Sequence, residues 1–306
     1  MRTALLAAVM LVVSGCAEGA DRPGPTAEAV RATATPAASP LPGGSAGPAA
    51  CFDRGPGDYV EAVERPEGER TYRVHVPPSY DGREPLPVVF NFHGQGRTAE
   101  HQDEYSGLRE FADSAGFILV TPQGLQNQWN IRDVFGDETI DDAGTVAAIL
   151  ERVEAGFCTD AGRVFATGLS NGAEMASQVG CFLADRFAAI APVAGIVFQQ
   201  CEGGPVAVLT FHGTADFNVP YDSALEAVPQ WAAHNGCSEP GDQSRVGEHV
   251  LVQEYRGCSA PVVFVTLEGA GHTWPGAEDG AGGVGSTNHE ISANEVMWAF
   301  FSTVTR

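Results

Sequence analysis

A serine set between two glycines, directly after an apolar run, constrains this chain more than any other feature. Residues 168–172 read Gly-Leu-Ser-Asn-Gly; residues 163–167 before them are typical of a buried strand, and residues 173–179 after them are typical of a helix. A strand, a sharp turn and a helix can hold a serine hydroxyl exposed at the top of a sheet. Glycines flank such a turn because a side chain would clash there. The sequence therefore predicts that Ser170 is a nucleophile.

The same five-residue pattern occurs a second time, at residues 43–47 around Ser45. That copy lies in a stretch rich in Pro, Ala and Gly, with no apolar run before it and no helical pattern after it. We interpret it as linker, so the local context rather than the pattern selects Ser170.

The charge of the chain excludes some function classes. The formal net charge is -22, and all 17 basic residues are arginines. A phosphate-binding loop that ends in Gly-Lys is therefore excluded. Nucleic acid is not expected as a partner, because binding its backbone needs clustered positive charge. A strongly acidic composition is instead typical of a soluble exported surface.

The N-terminal segment predicts export. Residues 1–15 are interpreted as a lipoprotein signal peptide, since Arg2 precedes an apolar run that is too short to span a bilayer. Residues 13–16 resemble a bacterial lipoprotein cleavage box, which implies that Cys16 is the lipid-modified mature N-terminus; an ordinary secretory signal is the alternative. Residues 16–50 are predicted to be a disordered tether rich in Pro, Ala and Gly. We expect either a cell-surface lipoprotein that meets the membrane through its lipid anchor alone, or a secreted protein.

The six other cysteines fit an oxidising compartment, where an even number suggests three disulfides. Spacing alone does not decide the connectivity. Two pairs that close short loops are favoured, and the remaining pair would attach the N-terminus of the domain to its body. A zinc site is the alternative, yet no Cys-x-x-Cys pair occurs, so no metal is expected. The expected disulfides are Cys181–Cys201, Cys237–Cys258 and Cys51–Cys158.

Residues 51–306 predict one α/β domain with a mostly parallel central sheet and helices on both faces. Near-continuous apolar runs separated by helical stretches are typical of such a sheet. A helical pattern covers residues 146–154. In residues 71–76 polar and apolar side chains alternate, which predicts an early strand. Buried strands are predicted at residues 87–92, 117–120, 163–167, 187–193, 206–211 and 262–267.

Two polar residues follow predicted strands and complete a catalytic set with Ser170. Asp216 comes after the run 206–211, and His272 comes after the run 262–267. Parallel sheets bind ligands at the carboxyl ends of their strands, and the order Ser, Asp, His is that of an α/β-hydrolase. His272 would accept the proton of the serine, and Asp216 would orient the imidazole. Asp222 is the alternative acid.

A tetrahedral oxyanion also needs donors, and two backbone N–H groups are candidates. Asn171 directly follows the nucleophile, and Gln95 lies in the Gly-flanked turn after an apolar strand. His93 and His212 each begin a His-Gly pair after a strand, and we expect them to hold loop backbone. Trp274 is expected to wall the substrate cleft, with a core position as the alternative.

Several of these segments together resemble the polyhydroxybutyrate depolymerase-like esterases, a family that includes feruloyl and acetylxylan esterases. They are residues 92–94, 168–173, 185–195, 212–216 and 271–276. The resemblance implies an α/β-hydrolase fold and a secreted, cofactor-free ester hydrolase with Ser170 as nucleophile, Asp216 as acid and His272 as base. It also implies Gln95 as the second oxyanion donor, although many members have a small residue there. We expect the larger Gln95 to alter the choice of acyl group.

The sequence as a whole predicts an exported serine esterase that works through an acyl-enzyme. The expected substrate is a small or oligomeric ester of the polyhydroxyalkanoate, feruloyl or acetyl class, and the expected state is a monomer without a cofactor. Two alternatives stay open: a cell-surface acyltransferase that uses the same triad, and a non-catalytic surface lipoprotein.

Overall fold

The structure is a computed structural model that describes residues 54–131, 137 and 139–306. The predicted signal peptide, the tether, Cys16 and Cys51 lie outside the described residues. Six α-helices are described, α1 (Ala99–Ser106), α2 (Leu108–Ala115), α3 (Asp142–Gly156), α4 (Asn171–Phe182), α5 (Tyr221–His234) and α6 (Ala293–Phe301), together with one short 3₁₀ helix at Leu125–Asn127. The strands are β1 (Gly57–Arg65), β2 (Gly68–Val76), β3 (Leu86–Phe92), β4 (Ile118–Pro122), β5 (Thr159–Leu169), β6 (Ala189–Val193), β7 (Ala207–Gly213), β8 (Glu239–Arg245), β9 (Val250–Arg256) and β10 (Val262–Leu267).

All described strands belong to one sheet, in the order β1-β2-β4-β3-β5-β6-β7-β10-β9-β8. The six central strands, from β4 to β10, are parallel to one another. The outer strands at both edges pair antiparallel. The prediction of a mostly parallel central sheet is therefore confirmed.

Helices cover both faces of the sheet. Successive side chains of a strand point to opposite faces, so each central strand packs against helices on both sides. On β3, Val88, Phe90 and Phe92 belong to one buried cluster, together with side chains of α3, α4 and α5. Val89 belongs to the other cluster, together with side chains of α1, α2 and α6. The central strands are thus apolar on both faces, which explains why they read as near-continuous apolar runs.

The strands predicted from the sequence all form, with small shifts at their ends, whereas three strands were not predicted. The missed strands are β1, β8 and β9, which lie toward the two edges of the sheet. β8 is the extreme case, since its side chains are almost all exposed. An exposed edge strand has no apolar run by which the sequence could reveal it.

Two disulfides support the periphery of the domain. Cys181 at the end of α4 is bonded to Cys201, and Cys237 after α5 is bonded to Cys258 after β9. These are the two short-loop pairs that were expected. The third expected pair includes Cys51, which lies outside the described residues, and it stays a prediction.

Within the part of the chain that the structure describes, no helix combines the length and apolarity needed to cross a membrane.

Candidate active site

Ser170 lies at the tip of a tight turn between β5 and α4. Its backbone has φ 60° and ψ -124°, a region that residues other than glycine rarely adopt. A Cβ at Gly172 would collide with the carbonyl of Phe92, and one at Gly195 would lie 2.5 Å from the carbonyl oxygen of Ser170. The glycines are therefore needed because neighbouring backbone packs directly against the turn. This packing holds the serine at the carboxyl edge of the sheet.

The loops after β7 and β10 bring Asp216 and His272 together. The Nδ1 of His272 lies 2.7 Å from Oδ2 of Asp216, and both side chains are almost fully buried. The other carboxylate oxygen, Oδ1, accepts hydrogen bonds of 2.9 Å from the N–H groups of Asn218 and Val219. With Nδ1 engaged, Nε2 is the ring nitrogen left to face a substrate or a serine.

The environment keeps Asp216 ionised. Burial alone raises the pKa of this carboxyl, but the ring contacts with His212 and His272 and the hydrogen bond from Val219 outweigh burial. The net result is a pKa well below its ordinary value. A carboxylate that stays charged can fix the Nδ1–H tautomer of His272 and stabilise the imidazolium when it forms.

His272 is also fixed through its backbone. Its N–H donates to the carbonyl of Val284 at 2.7 Å, and the N–H of Val284 donates back to the carbonyl of His272 at 2.9 Å. The neighbouring Gly271 donates to Ser286 at 2.9 Å. The loop that carries the imidazole is therefore tied to a second loop, which limits how far the ring can move from Asp216.

The turn after β3 lies beside the serine. A Cβ added to Gly94 would be 3.6 Å from the Cβ of Ser170, and the next residue, Gln95, lines the same cleft as Ser170. Among the described residues, neither the N–H of Gln95 nor that of Asn171 has a hydrogen-bond acceptor. Both predicted oxyanion donors are thus unengaged backbone N–H groups next to Ser170.

His93 holds this turn in place. Its Nδ1 donates to the carbonyl of Gly94 at 2.9 Å, and its Nε2 accepts from the N–H of Gly124 at 2.9 Å. Burial lowers the pKa of His93 to about 4, so the ring is neutral near pH 7 and can act as both donor and acceptor. The role in loop support that was expected for His93 agrees with these contacts.

His212 supports the loop that carries Asp216 in a similar way. Its Nε2 lies 2.9 Å from the carbonyl of Val219 and 3.5 Å from Oδ2 of Asp216. His272 approaches the same oxygen more closely, and Asp222, the alternative acid, is exposed in the first turn of α5. The geometry therefore favours Asp216 over Asp222 as the partner of His272, and it places His212 in the loop-supporting role that was expected for it.

The side chain of Asn171 connects the turn of Ser170 to the loop after β4. Its Oδ1 accepts from the N–H of Trp129 at 2.7 Å, and its Nδ2 donates to Oε2 of Glu174 at 2.9 Å. Trp129 in turn donates from its indole to the carbonyl of His93 at 2.8 Å. One chain of hydrogen bonds therefore links the turns that carry the two candidate oxyanion donors.

A cleft of about 940 Å³ opens over Ser170 and His272. Gly94, Gln95 and Asn171 also line it, so the structure brings together the predicted nucleophile, base and oxyanion donors. Asp216 lies behind His272, as an orienting acid should. Among the described residues, no group of three or more His, Cys, Asp or Glu side chains is arranged to hold a metal ion.

The expectation that Trp274 walls the cleft is corrected by the structure. Trp274 is 1% exposed and packs in the hydrophobic cluster on the α6 side of the sheet. Its indole donates to Oδ1 of Asn294 at 3.0 Å, and its backbone N–H donates to the hydroxyl of Tyr105 at 2.9 Å. The indole thus fills the core behind the loop of His272, the alternative that the sequence left open.

Sequence reasoning missed much of the cleft wall. The missed residues come from the loop after β4, from the turn after β3 and from the first turn of α4. The first group could have been found by inspecting the residues that follow the run 117–120, as was done for the other strands. The missed lining residues include Arg97, Leu125, Gln126, Gln128, Trp129, Asn130 and Glu174.

The chain is similar in sequence to known esterases. A family model described as "Esterase PHB depolymerase" matches residues 70–212. The probable feruloyl esterase C of Aspergillus oryzae is 32% identical over 247 residues, which cover 76% of this chain and 84% of that relative. Feruloyl esterase D of Neurospora crassa is 27% identical over 248 residues, which cover 76% of this chain and 81% of that relative.

Solved structures confirm the fold. The acetyl xylan esterase from Aspergillus awamori superposes with a TM-score of 0.62 at 16% sequence identity, covering 80% of this chain and 99% of that one. A thermostable esterase superposes with a TM-score of 0.54 at 17% identity, covering 81% of this chain and 63% of that one. The α/β-hydrolase fold predicted from the sequence is therefore the fold of the protein. Sequence and fold together show that the chain belongs to the polyhydroxybutyrate depolymerase-like family of feruloyl and acetylxylan esterases, and that it is a carboxylic ester hydrolase.

Proposed function

We propose that the protein is an exported serine esterase in which Ser170, His272 and Asp216 form an acyl-enzyme and then hydrolyse it. The observation that carries this proposal is the buried contact of 2.7 Å between His272 and Asp216 beneath a cleft that Ser170 and His272 share. A serine hydroxyl is a weak nucleophile near pH 7, and it needs such an oriented base.

In the first half-reaction, Oγ of Ser170 bonds to the carbonyl carbon of the ester while Nε2 of His272 takes the hydroxyl proton. The resulting oxyanion accepts hydrogen bonds from the N–H groups of Gln95 and Asn171. As the tetrahedral intermediate collapses, the C–O bond to the alcohol breaks and His272 returns the proton to the leaving alcohol.

In the second half-reaction, water replaces the alcohol. His272 takes a proton from the water as its oxygen attacks the acyl carbon, and the same two N–H groups stabilise the second oxyanion. The bond to Oγ then breaks, and the proton goes from His272 to Ser170. The loss of either donor costs on the order of 3 kcal/mol of transition-state stabilisation.

For the substrate we propose a small or oligomeric ester of the feruloyl, acetyl or hydroxyalkanoate class, acted on by a monomer. Two of the relatives above are named feruloyl esterases, and polar side chains predominate around the cleft. The exposed carboxamides of Gln95, Gln126, Gln128 and Asn218 favour an alcohol that carries hydroxyl groups over a purely apolar one.

Export is part of the proposal as well. The two disulfides are consistent with an oxidising compartment. We propose anchoring through a lipid on Cys16, and mass spectrometry of the mature N-terminus tests it. An unmodified N-terminal peptide that begins at another residue would contradict the anchor and leave secretion.

The catalytic proposal is tested with Ser170→Ala and a control that the chain itself provides. Ser45→Ala alters the second copy of the same pattern, in the predicted tether. With 4-nitrophenyl butyrate, Ser170→Ala is expected to abolish turnover and labelling by a fluorophosphonate probe, while Ser45→Ala retains both. Retained turnover in Ser170→Ala would refute the assignment. A panel of methyl ferulate, acetylated xylan and hydroxybutyrate oligomers then ranks the substrate classes.

A further inference from the structure

Charge is distributed unevenly around Ser170. On the side of α3 and α4, the cleft is lined by Asp137, Glu174 and Asp142, of which the buried Asp142 is paired with Arg70. On the side of the turn after β3, it is lined by Arg97 and His101. Arg97 is the single arginine among the described residues that line the cleft, in a chain whose net charge is -22. The cleft therefore has its arginine on one side of Ser170 and its carboxyl groups on the other.

The guanidinium of Arg97 is not engaged by a carboxylate. Its one hydrogen bond among the described residues is a long contact of 3.4 Å from Nη2 to the carbonyl of Gly282. Within that same part of the chain, no carboxylate oxygen lies within 4.0 Å of it. In contrast, Arg245 and Arg109 each pair with carboxylates. Arg97 is exposed and keeps several N–H donors free, in the planar arrangement that matches a carboxylate with two parallel hydrogen bonds.

Arg97 is placed close to the reacting centre. Its backbone N–H donates to the carbonyl of Gly94 at 3.1 Å, which closes a tight turn around Gln95. The Cα atoms at the two ends of such a turn are less than about 7 Å apart. Gly94 packs against Ser170, and Gly282, which the guanidinium of Arg97 contacts, lines the same cleft, so a ligand held by Arg97 shares that cleft with an ester bound at Ser170.

We propose that Arg97 forms a subsite for a carboxylate carried by the ester substrate, a proposal that rests on the esterase function above. The carboxylate can belong to the acyl part, as in a half-ester of a dicarboxylic acid, or to the alcohol part, as in an acylated hydroxy acid. The net negative charge of the protein does not oppose this subsite strongly. At physiological ionic strength, exposed charges farther away than about 8 Å are largely screened, whereas Arg97 acts in direct contact.

Matched ester pairs test the subsite. On the acyl side, monomethyl succinate is compared with methyl levulinate, which replaces the carboxylate by a methyl ketone of nearly the same shape. On the alcohol side, 4-acetoxybutyrate is compared with 5-acetoxypentan-2-one. For each pair, the ratio of kcat/KM for the acid to kcat/KM for the ketone is measured by pH-stat titration.

Arg97→Gln is expected to lower this ratio about tenfold on one of the two sides, which corresponds to about 1.4 kcal/mol. Arg256→Gln removes the same charge from an exposed residue on β9, where Arg256 pairs with Asp242, and it is expected to leave the ratio unchanged. In the wild-type protein, added NaCl is expected to lower the ratio on the same side, whereas Arg97→Gln shows no such salt dependence.

An unchanged ratio on both sides in an active Arg97→Gln protein would overturn the subsite and leave Arg97 as a contact to the loop of Gly282. If that variant does not fold, the salt dependence of the wild-type ratio decides instead, and its absence overturns the proposal. Failure of the esterase function looks different, because the wild-type protein would then hydrolyse neither the acids nor the neutral ketones.

Discussion

Replacing Asp216 by asparagine should disable the enzyme through the tautomer of His272. The two N–H groups of Asn218 and Val219 donate to Oδ1 of Asp216, so the amide oxygen of an asparagine is held at that position. Its NH₂ group must then take the place of Oδ2, which now lies 2.7 Å from Nδ1 of His272. Because a donor would face Nδ1, the imidazole must carry its proton on Nε2, where it cannot accept the proton of Ser170.

The expected loss is about 10⁴-fold in kcat, the usual result of holding a triad histidine in the wrong tautomer. At about 1.36 kcal/mol for each factor of ten, this corresponds to about 5 kcal/mol. The assay is the hydrolysis of 4-nitrophenyl butyrate with thermal unfolding as the check on folding, and Asp222→Asn on the exposed start of α5 is the control. Asp216→Asn activity within tenfold of the wild type, in a folded protein, would refute the mechanism.

Two further predictions concern residues that support the site, and a third concerns a disulfide at the periphery of the domain. Burial lowers the pKa of His93 from 6.5 to about 4, so protonating this ring costs more in the folded protein than in the unfolded chain. The free energy of unfolding should therefore fall by about 3 kcal/mol as the pH falls from 6.5 to 4. Urea unfolding of wild type and His93→Gln at both pH values should show a smaller loss in the variant. Gly172→Ala places a methyl group against the carbonyl of Phe92 and should lower the free energy of unfolding by about 3 kcal/mol and reduce turnover, whereas a fully stable and active variant would contradict the packing. Replacing both Cys237 and Cys258 by serine opens a loop with a sequence separation of 21 and should lower stability by about 3 kcal/mol with kcat retained, as measured by denaturant unfolding and esterase assay.

The central strands could be predicted because burial on both faces of the sheet requires apolar side chains along each of them. Each central strand, such as β3 or β7, must be apolar at nearly every position, since helices pack on both sides of it. β1 and β8 carry no such requirement: their side chains are largely exposed or alternate in exposure, and polar residues are tolerated along them. The edges of the sheet therefore depend on backbone pairing, which leaves little trace in side-chain composition.

The candidate site also has a part that could be predicted from the sequence and a part that could not. Ser170, Asp216 and His272 could be located because parallel strands deliver their following residues to a common edge, a rule that needs no knowledge of side-chain direction. Trp274 and Arg97 could not be assigned by that rule. Two residues after His272, the chain has already turned the indole of Trp274 into the core, while a hydrogen bond to Gly94 keeps Arg97 at the cleft. Loop conformation decides such positions, and it is not readable from spacing.

Backbone strain marks the same place independently of the side chains. Among the described residues, the four non-glycine residues with positive φ are Gln126, Asn127, Ser170 and Ala194. The three other than Ser170 lie in loops that contact the turns beside Ser170: the carbonyl of Asn127 accepts the N–H of Gly96 at 2.7 Å, and the carbonyl of Val193, just before Ala194, accepts the N–H of Ser170 at 3.0 Å. Each such residue costs of order 1–3 kcal/mol, and it persists where the surroundings enforce it. These two loops contact the turn of Gln95 and the turn of Ser170 respectively, so the strain is located at the turns that carry the proposed oxyanion donors and the proposed nucleophile, which the proposed mechanism needs to be held before the substrate arrives.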